Sequence, residues 1–500
     1  MFTATEVACA ISMTAIAIIT GKFIHDSTGI DKWTGFSKVW GNWPVYGHTF
    51  SVRNAKKFYP ILSANGSRVA AVINISNVNV LALCSAEYIK WVLVKGTNTF
   101  LGKATRAFPR TSQLLGAHSV LSDLPPAQHK RIRQLLGQSI TNEILSQCYP
   151  QLSNNARVLL TEMSMQKEIR VYDFSKTFTF NAIAYFMFGS RSVDVERVKR
   201  LYPDFAVWFA GLSDFYVPVW MNGPFAKAVA ARKQISDVFM AIIAERRLEM
   251  VVMDVGDYND DKVKVLSEEN KDGLSKLLDA GGEKKNGDGG GGQDVPLSDA
   301  EVLENLFVFV FAGFETTAAT ISSSVHYFVY EMDETEKNML VDEVCGNTED
   351  VSSALPTAAA ALVSGLPVLD AFVKEVLRIK SPVSTVLRKT NMDVDLGGHF
   401  LPKDTVVAAY IGGMGYNQAV FPDPSIFKLS RFLESTAGEK SAQLHSYVPF
   451  GAGPRLCLGM ALARLEIKIF MTQFITGFVA LKGSKASIET NIGLVHMNPC

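Results

Sequence analysis

Residues 450–466 read FGAGPRLCLGMALARLE, and no other stretch of the 500 narrows the fold as much. Gly451, Gly453 and Pro454 specify a tight bend, Cys457 follows it, and an amphipathic helix runs on from about Gly459. Such a bend turns its own N–H groups outward and needs a folded body to hold it. The rest of the chain can provide one: it is 48% hydrophobic and 10% aromatic, enough for a large core.

Helical periodicity dominates from about residue 125 to 250. The segment 67–85, rich in Val and Ile with polar breaks, predicts a strand pair. Residues 280–294, AGGEKKNGDGGGGQD, cannot bury a core and predict a mobile surface loop. After it Ser298 and Glu301 form a capping box, opening a long helix that reaches about Tyr330. A second helix starts at Pro367 and must end before Pro382, followed by short strand-like pieces and turns. The expected fold is mainly α: one large helical domain over 48–500 with a small β-rich portion.

Ahead of that domain, residues 1–24 are a hydrophobic segment, uncharged from Val7 to Gly21, and 25–47 form a linker whose GNWPVYG (41–47) reads as a hinge. The segment is short against the ~20 residues of a spanning helix, but Met1–Thr5 can extend it, and Lys22, Lys32 and Lys38 follow it. This predicts a retained membrane anchor with the bulk of the chain in the cytosol; the alternative is a buried or surface amphipathic segment. Lys+Arg and Asp+Glu balance at 49 each, which gives no electrostatic case for nucleic acid. The six cysteines (Cys9, Cys84, Cys148, Cys345, Cys457 and Cys500) have no C-x-x-C spacing, so neither a disulfide framework nor a zinc site is indicated.

Cys457 differs from the others in its setting. The helix behind it turns a positive N-terminus toward the sulfur, and loop N–H groups add to that, so thiolate is favoured over thiol. A thiolate facing a flat cavity suits the axial position of an iron porphyrin, and Arg455 is placed to pair with an acidic edge of such a group. A nucleophilic cysteine is the alternative, but no local signature supplies its base.

With these residues in place, FGAGPRLCLG resembles the haem-binding loop of the cytochrome P450 family, F-x-x-G-x-R-x-C-x-G, matched by Phe450, Gly453, Arg455, Cys457 and Gly459, with Gly451 inside it. AGFETT (312–317) is similar to the family's oxygen-activation motif. There Glu315 and Thr316 are an acid–alcohol pair for proton relay, and Gly313 would let the backbone approach the porphyrin. Its small residues in mid-helix suggest a local distortion. Glu375 and Arg378 match E-x-x-R, and Arg431 in FKLSRF would complete that structural network, with Leu429 standing where proline is usual. His129 and Arg133 in HKRIR, and Arg388 in VLRKT, match positions that reach the haem propionates. In LPKDT, Asp404 stands where glycine is common.

The resemblance implies a haem-thiolate monooxygenase with haem b (iron protoporphyrin IX), Cys457 as iron ligand and Glu315 and Thr316 as catalytic residues. It would insert one oxygen atom from O2 into a C–H or C=C bond of a lipophilic molecule. Electrons would come from NADPH through a separate cytochrome P450 reductase, with cytochrome b5 as a further donor. The location implied is the endoplasmic reticulum membrane. Phe205, Trp208, Phe209, Phe215, Tyr216 and Trp220, with Phe307 and Phe309, suit a lipophilic guest such as an isoprenoid or fatty-acyl compound, although aromatic stripes more often serve a core. Two rivals remain: a peroxide isomerase or dehydratase on the same fold, and a haem-binding sensor without turnover. Thr316 weighs against the first and the intact acid–alcohol pair against the second.

Overall fold

The computed structural model describes residues 56, 70–75, 78–96, 101–103, 113–166, 169–189, 191–212, 223–254, 272–280, 295–346, 365–433 and 446–483. The expected anchor, the hinge at 41–47, residues 281–294 of the Gly-rich loop, and Phe215, Tyr216 and Trp220 lie outside the described residues.

Strands β1 (Ala70–Ile75) and β2 (Val78–Leu83) form the expected antiparallel pair, Ile75 opposite Val78. The short helix α1 (Ala86–Lys90) passes into a wider turn at Trp91–Lys95, and strand β3 (Leu101–Lys103) follows. Helices α2 (Pro126–Gln138), α3 (Asn142–Ser164), α4 (Val171–Phe188), α5 (Ser192–Lys199), α6 (Tyr202–Leu212) and α7 (Pro224–Asp254) fill the region of helical periodicity. After α8 (Gly273–Asp279) comes α9 (Asp299–His326), extended by a wider turn at Tyr327–Glu331, then α10 (Glu334–Gly346) and α11 (Pro367–Ile379).

Strands β4 (Val386–Thr390), β5 (Val394–Leu396), β6 (His399–Leu401) and β7 (Val406–Ala409) come next. Short helices α12 (Ile411–Met414) and α13 (Ser430–Leu433) lead to α14 (Met460–Gly483). The main sheet has the order β1-β2-β7-β4-β3, with β2 and β7 parallel, Leu81 beside Val407. This fastens the early hairpin to the late strands and carries Arg388 on β4 toward the cysteine loop.

Helix α9 starts where the sequence places it: the Ser298 hydroxyl accepts from Glu301 N–H and the Glu301 carboxylate accepts from Ser298 N–H, a reciprocal cap. It packs against α4, α7, α11 and α14. Its length and composition would let it cross a membrane, but 56% of the apolar stretch is buried inside the molecule, so it is the central core helix. Helix α11 has Pro367 in its first turn and ends at Ile379, before Pro382. Asp404 adopts φ +72°, the left-handed region where glycine is easier, and its carboxylate meets Lys389 at 2.7 Å.

Candidate active site: the Cys457 loop and helix α9

Two glycines shape the loop for different reasons. Gly451 (φ +73°) and Gly453 (φ +69°) both take left-handed backbone. A Cβ at Gly453 would also sit 2.1 Å from the Leu93 carbonyl oxygen, so the loop presses on the Trp91–Lys95 turn. The bend closes through Gly451 N–H to the Val448 carbonyl (2.9 Å), Leu456 N–H to Gly453 (3.0 Å) and Cys457 N–H to Phe450 (3.0 Å). The first bond of the following helix, Ala463 N–H to the Gly459 carbonyl, spans 2.9 Å.

Of the cysteines among the described residues, Cys457 alone is exposed; Cys84 and Cys148 are buried and their thiols are pushed up to about 12 by burial. The thiolate expectation needs correction. Cys457 faces solvent on one side, yet the protein around it is dense enough that burial raises its pKa, and the Gly459 N–H and Arg133 offset this only in part. Helix terminus and loop amides therefore do not hold the anion by themselves, and a metal ion bonded to sulfur would supply the missing positive charge. Among the described residues no group of three His, Cys, Asp or Glu could hold a metal, so a protein-only metal centre is not formed there.

Three arginines converge on this loop. Arg133 of α2 donates through Nη2 to the Leu456 carbonyl at 2.5 Å, one residue before the thiol. Arg388 is buried, donates to the Leu387 carbonyl at 2.9 Å, and keeps a buried Nε with no partner. Arg455 keeps a buried Nη1 in the same condition. Burial, then the charge of Arg455, pushes Arg388 down to about 9; burial pushes Arg455 down to about 10, with Asp123 opposing and Arg133 adding to the effect. Two cations with buried, unused donor nitrogens near a loop-held thiol are the donor set for a planar metal macrocycle bearing two carboxylates, and haem fits it. His129 lies on the buried stripe of α2 with Ile132, Leu135 and Leu136. Phe450 is partly buried against the main core.

In α9 the structure separates residues that the sequence placed together. Thr316 Oγ1 donates to the Ala312 carbonyl at 2.7 Å, whereas the Glu315 carboxylate accepts a hydrogen bond from the Tyr172 hydroxyl of α4. Neighbours in sequence stand about 100° apart around a helix, so the acid and the alcohol meet different surroundings. The expected distortion does not break the helix, which stays α-helical from Asp299 to His326. Hydroxyls instead bond its carbonyls from the side, including Thr179 Oγ1 to Phe314 at 2.9 Å. Gly313 also lets α4 come close: a Cβ there would lie 2.5 Å from Ile183 Cδ1. Ala312, one residue earlier, is the exposed position of this turn.

Below the loop, Glu375 and Arg378 form a fully buried bidentate pair (2.7 and 2.8 Å), and Arg431 Nε reaches the same carboxylate at 3.3 Å. Arg378 Nη1 also donates to the Gly415 and Pro424 carbonyls at 2.6 and 2.8 Å, which fixes the chain ahead of α13. Leu429 explains itself, since its N–H, which proline would lack, donates to Glu336 at 2.6 Å. Asp370 ties α11 to α14, meeting Lys374 at 2.6 Å, Lys468 at 3.0 Å and Arg464. Sequence reading singled out neither Glu336 nor Asp370.

The aromatic expectation divides. Phe205, Trp208 and Phe307 are fully buried and pack ring against ring, Trp208 to Phe307 at 5.2 Å, so they are core and not substrate wall. Phe209 and Phe309 are half-buried. Trp208 Nε1 and Arg232 Nε both donate to the Leu114 carbonyl, at 3.3 and 3.0 Å. Asn305 accepts from Val120 N–H at 2.8 Å, so α6, α7 and α9 together pin the segment that precedes α2.

The family model described as Cytochrome P450 matches residues 38–496. The chain is similar to the beta-amyrin 11-oxidase of Glycyrrhiza uralensis, 24% identical over 405 residues, covering 80% of this chain and 74% of that protein. It is similar also to ent-kaurenoic acid oxidase 1 of Arabidopsis thaliana, 27% identical over 370 residues, covering 73% and 68%. The solved structure of retinoic acid-bound cyanobacterial CYP120A1 superposes with a TM-score of 0.69 at 23% identity, covering 88% of this chain and 91% of that one.

Proposed function

The chain belongs to the cytochrome P450 family and is a haem-thiolate monooxygenase, and from that premise we propose that it oxidises a C–H or C=C bond of an isoprenoid, with electrons from a separate NADPH-dependent reductase. The observation that carries the site assignment is the loop thiol of Cys457 in company with the buried Arg388 and the half-buried Arg455, each keeping one buried donor nitrogen unused. Cys457 would hold the haem iron, Arg388 and Arg455 would hold its two propionates, and Arg133 ties down the loop through the Leu456 carbonyl. Bound haem supplies the activation of O2 and the transfer of one of its oxygen atoms. Thr316 and Glu315 hold and move the protons which that chemistry consumes. Phe450 and Gly451 shape the loop around the sulfur.

The substrate class follows two lines of support. Two relatives carry names that specify terpenoid oxidation, of beta-amyrin and of ent-kaurenoic acid. The apolar, half-buried Phe309 lies one turn before the exposed Ala312 on the same face of α9, and such a face suits a hydrocarbon guest better than a polar one. A fatty-acyl compound is the next class to try. Residues 1–24 would anchor the enzyme in the endoplasmic reticulum membrane, with the catalytic domain in the cytosol, where the NADPH-cytochrome P450 reductase and cytochrome b5 can reach it.

The test is turnover of full-length protein with the reductase, NADPH and a panel of terpenoids and fatty acids. Cys457→Ala is expected to lose the thiolate-type absorption of the reduced carbon monoxide complex. Thr316→Ala is expected to keep it while NADPH consumption outruns product. Haem held by imidazole with Cys457 intact would overturn the oxygenase assignment, and products only from fatty acids would overturn the isoprenoid one.

A further inference from the structure

Glu315 sits in a small group of titratable side chains that the proton-relay assignment does not use. The Tyr172 hydroxyl donates to Glu315 Oε2. Lys176, one turn along α4, lies 4.8 Å from the centre of the Tyr172 ring and 3.2 Å from Asp173. Tyr202 of α6 joins them: burial raises its pKa, and the charges of Lys176, Asp173 and Glu315 all reach it. Exposure grows outward, from the half-buried Tyr172 and Glu315 to Lys176 at 23% and Asp173 at 57% of side-chain area.

We propose that Tyr172 is a positioning residue for Glu315, and that Asp173, Lys176 and Tyr202 form with it the mouth through which Glu315 exchanges protons with water. The inference rests on the monooxygenase reading for its purpose but not for its geometry. Helix packing alone does not require the bond, because α4 and α9 are already joined by Thr179 Oγ1 to the Phe314 carbonyl and by Ile183 against Gly313. Tyr172 holds the carboxylate on the side where water and the Asp173–Lys176 pair are. A proton from water forms an O–H bond on the carboxylate, and the Tyr172 hydroxyl keeps its own proton throughout. A change of side-chain rotamer then carries the acid around the helix toward Thr316. There the carboxylic O–H bond breaks as Thr316 Oγ1 accepts the proton and gives up the one it carried to the monooxygenase reaction that consumes it, and the restored carboxylate returns to Tyr172.

The test uses full-length, haem-loaded protein in its reduced carbon monoxide form, labelled with 3-fluorotyrosine. The fluorine resonance that Tyr172→Phe removes is the Tyr172 signal, and Glu315→Gln is expected to move it; a signal that stays in place overturns the bond. In turnover, Tyr172→Phe is expected to lower product per NADPH by about 3- to 10-fold and to enlarge the solvent isotope effect on product formation. That is well short of the ~10²-fold expected on losing the acid itself, because the acid remains and only its placement changes. Thr179→Val, which cuts the other tie between the helices, is expected to lower stability and leave the isotope effect unchanged. Unchanged coupling and isotope effect in Tyr172→Phe would overturn the positioning role. A wild-type chain without the thiolate-type absorption would instead overturn the oxygenase reading and leave the fluorine result standing.

Discussion

Replacing Arg388 with methionine is expected to act in opposite directions on the chain with and without haem. Arg388 is only 4% exposed, keeps an unpartnered Nε, and is pushed down to about 9 by burial and then by the charge of Arg455. A depression of that size corresponds to about 3–5 kcal/mol by which the protonated side chain opposes folding of the haem-free protein. The sign follows from linkage. With the folded pKa below the unfolded one, the penalty is full at pH below about 9 and shrinks as pH rises from there. Methionine keeps an apolar stem of similar reach and removes the charge, so the haem-free variant at pH 7 gains about 3 kcal/mol.

Haem reverses the balance, because a carboxylate that paired with Arg388 loses a charge-assisted bond. Affinity then falls about 10- to 100-fold. Urea denaturation of haem-free protein measures the first effect, and the rate of haem loss to an excess of scavenging protein measures the second. A variant that is less stable without haem, or that holds haem as tightly as wild type, would refute the assignment of Arg388 to a propionate.

Glu375→Gln removes the buried carboxylate that Arg378 and Arg431 share, and is expected to cost about 3–5 kcal/mol in urea denaturation. A loss below about 1 kcal/mol would mean that the carbonyls around Arg378 carry the network alone. Burial by itself would raise Asp370, but Lys374, Lys468 and Arg464 overcome it and hold the carboxyl at about 2. Its ~2 kcal/mol is therefore present above pH 3.8 and disappears as pH falls toward 2, a dependence that Asp370→Asn is expected to abolish in acid titrations followed by circular dichroism. Asp404 occupies left-handed backbone, so Asp404→Gly is expected to melt at or above wild type and Asp404→Val clearly below it; the reverse order would contradict the φ of +72°.

What the sequence disclosed, and what it withheld, divides by the distance over which each interaction acts. The capping box at Ser298, the proline-limited helix α11 and the left-handed glycines of the cysteine loop are settled within a few residues, and periodicity and turn chemistry reveal them. Glu375 and Arg378 are one helical turn apart and could be paired on spacing alone. Tyr172 and Glu315 are 143 positions apart, and Glu336 and Leu429 are 93 apart; nothing local marks either pair. Local reading also misjudged two balances that depend on surroundings. It saw the helix terminus that favours the Cys457 thiolate but not the burial that opposes it, and it saw large aromatics at Phe205 and Trp208 without seeing that three helices close over them. The Glu315–Thr316 pair is the sharpest case. Adjacency in sequence reads as cooperation, but on a helix it turns the two side chains toward different walls, one lined by Tyr172 and the other by the Ala312 carbonyl. If both residues serve one proton, the carboxylate must move between those walls. The hydrogen bond from Tyr172 is then the contact that has to break each time a proton is delivered.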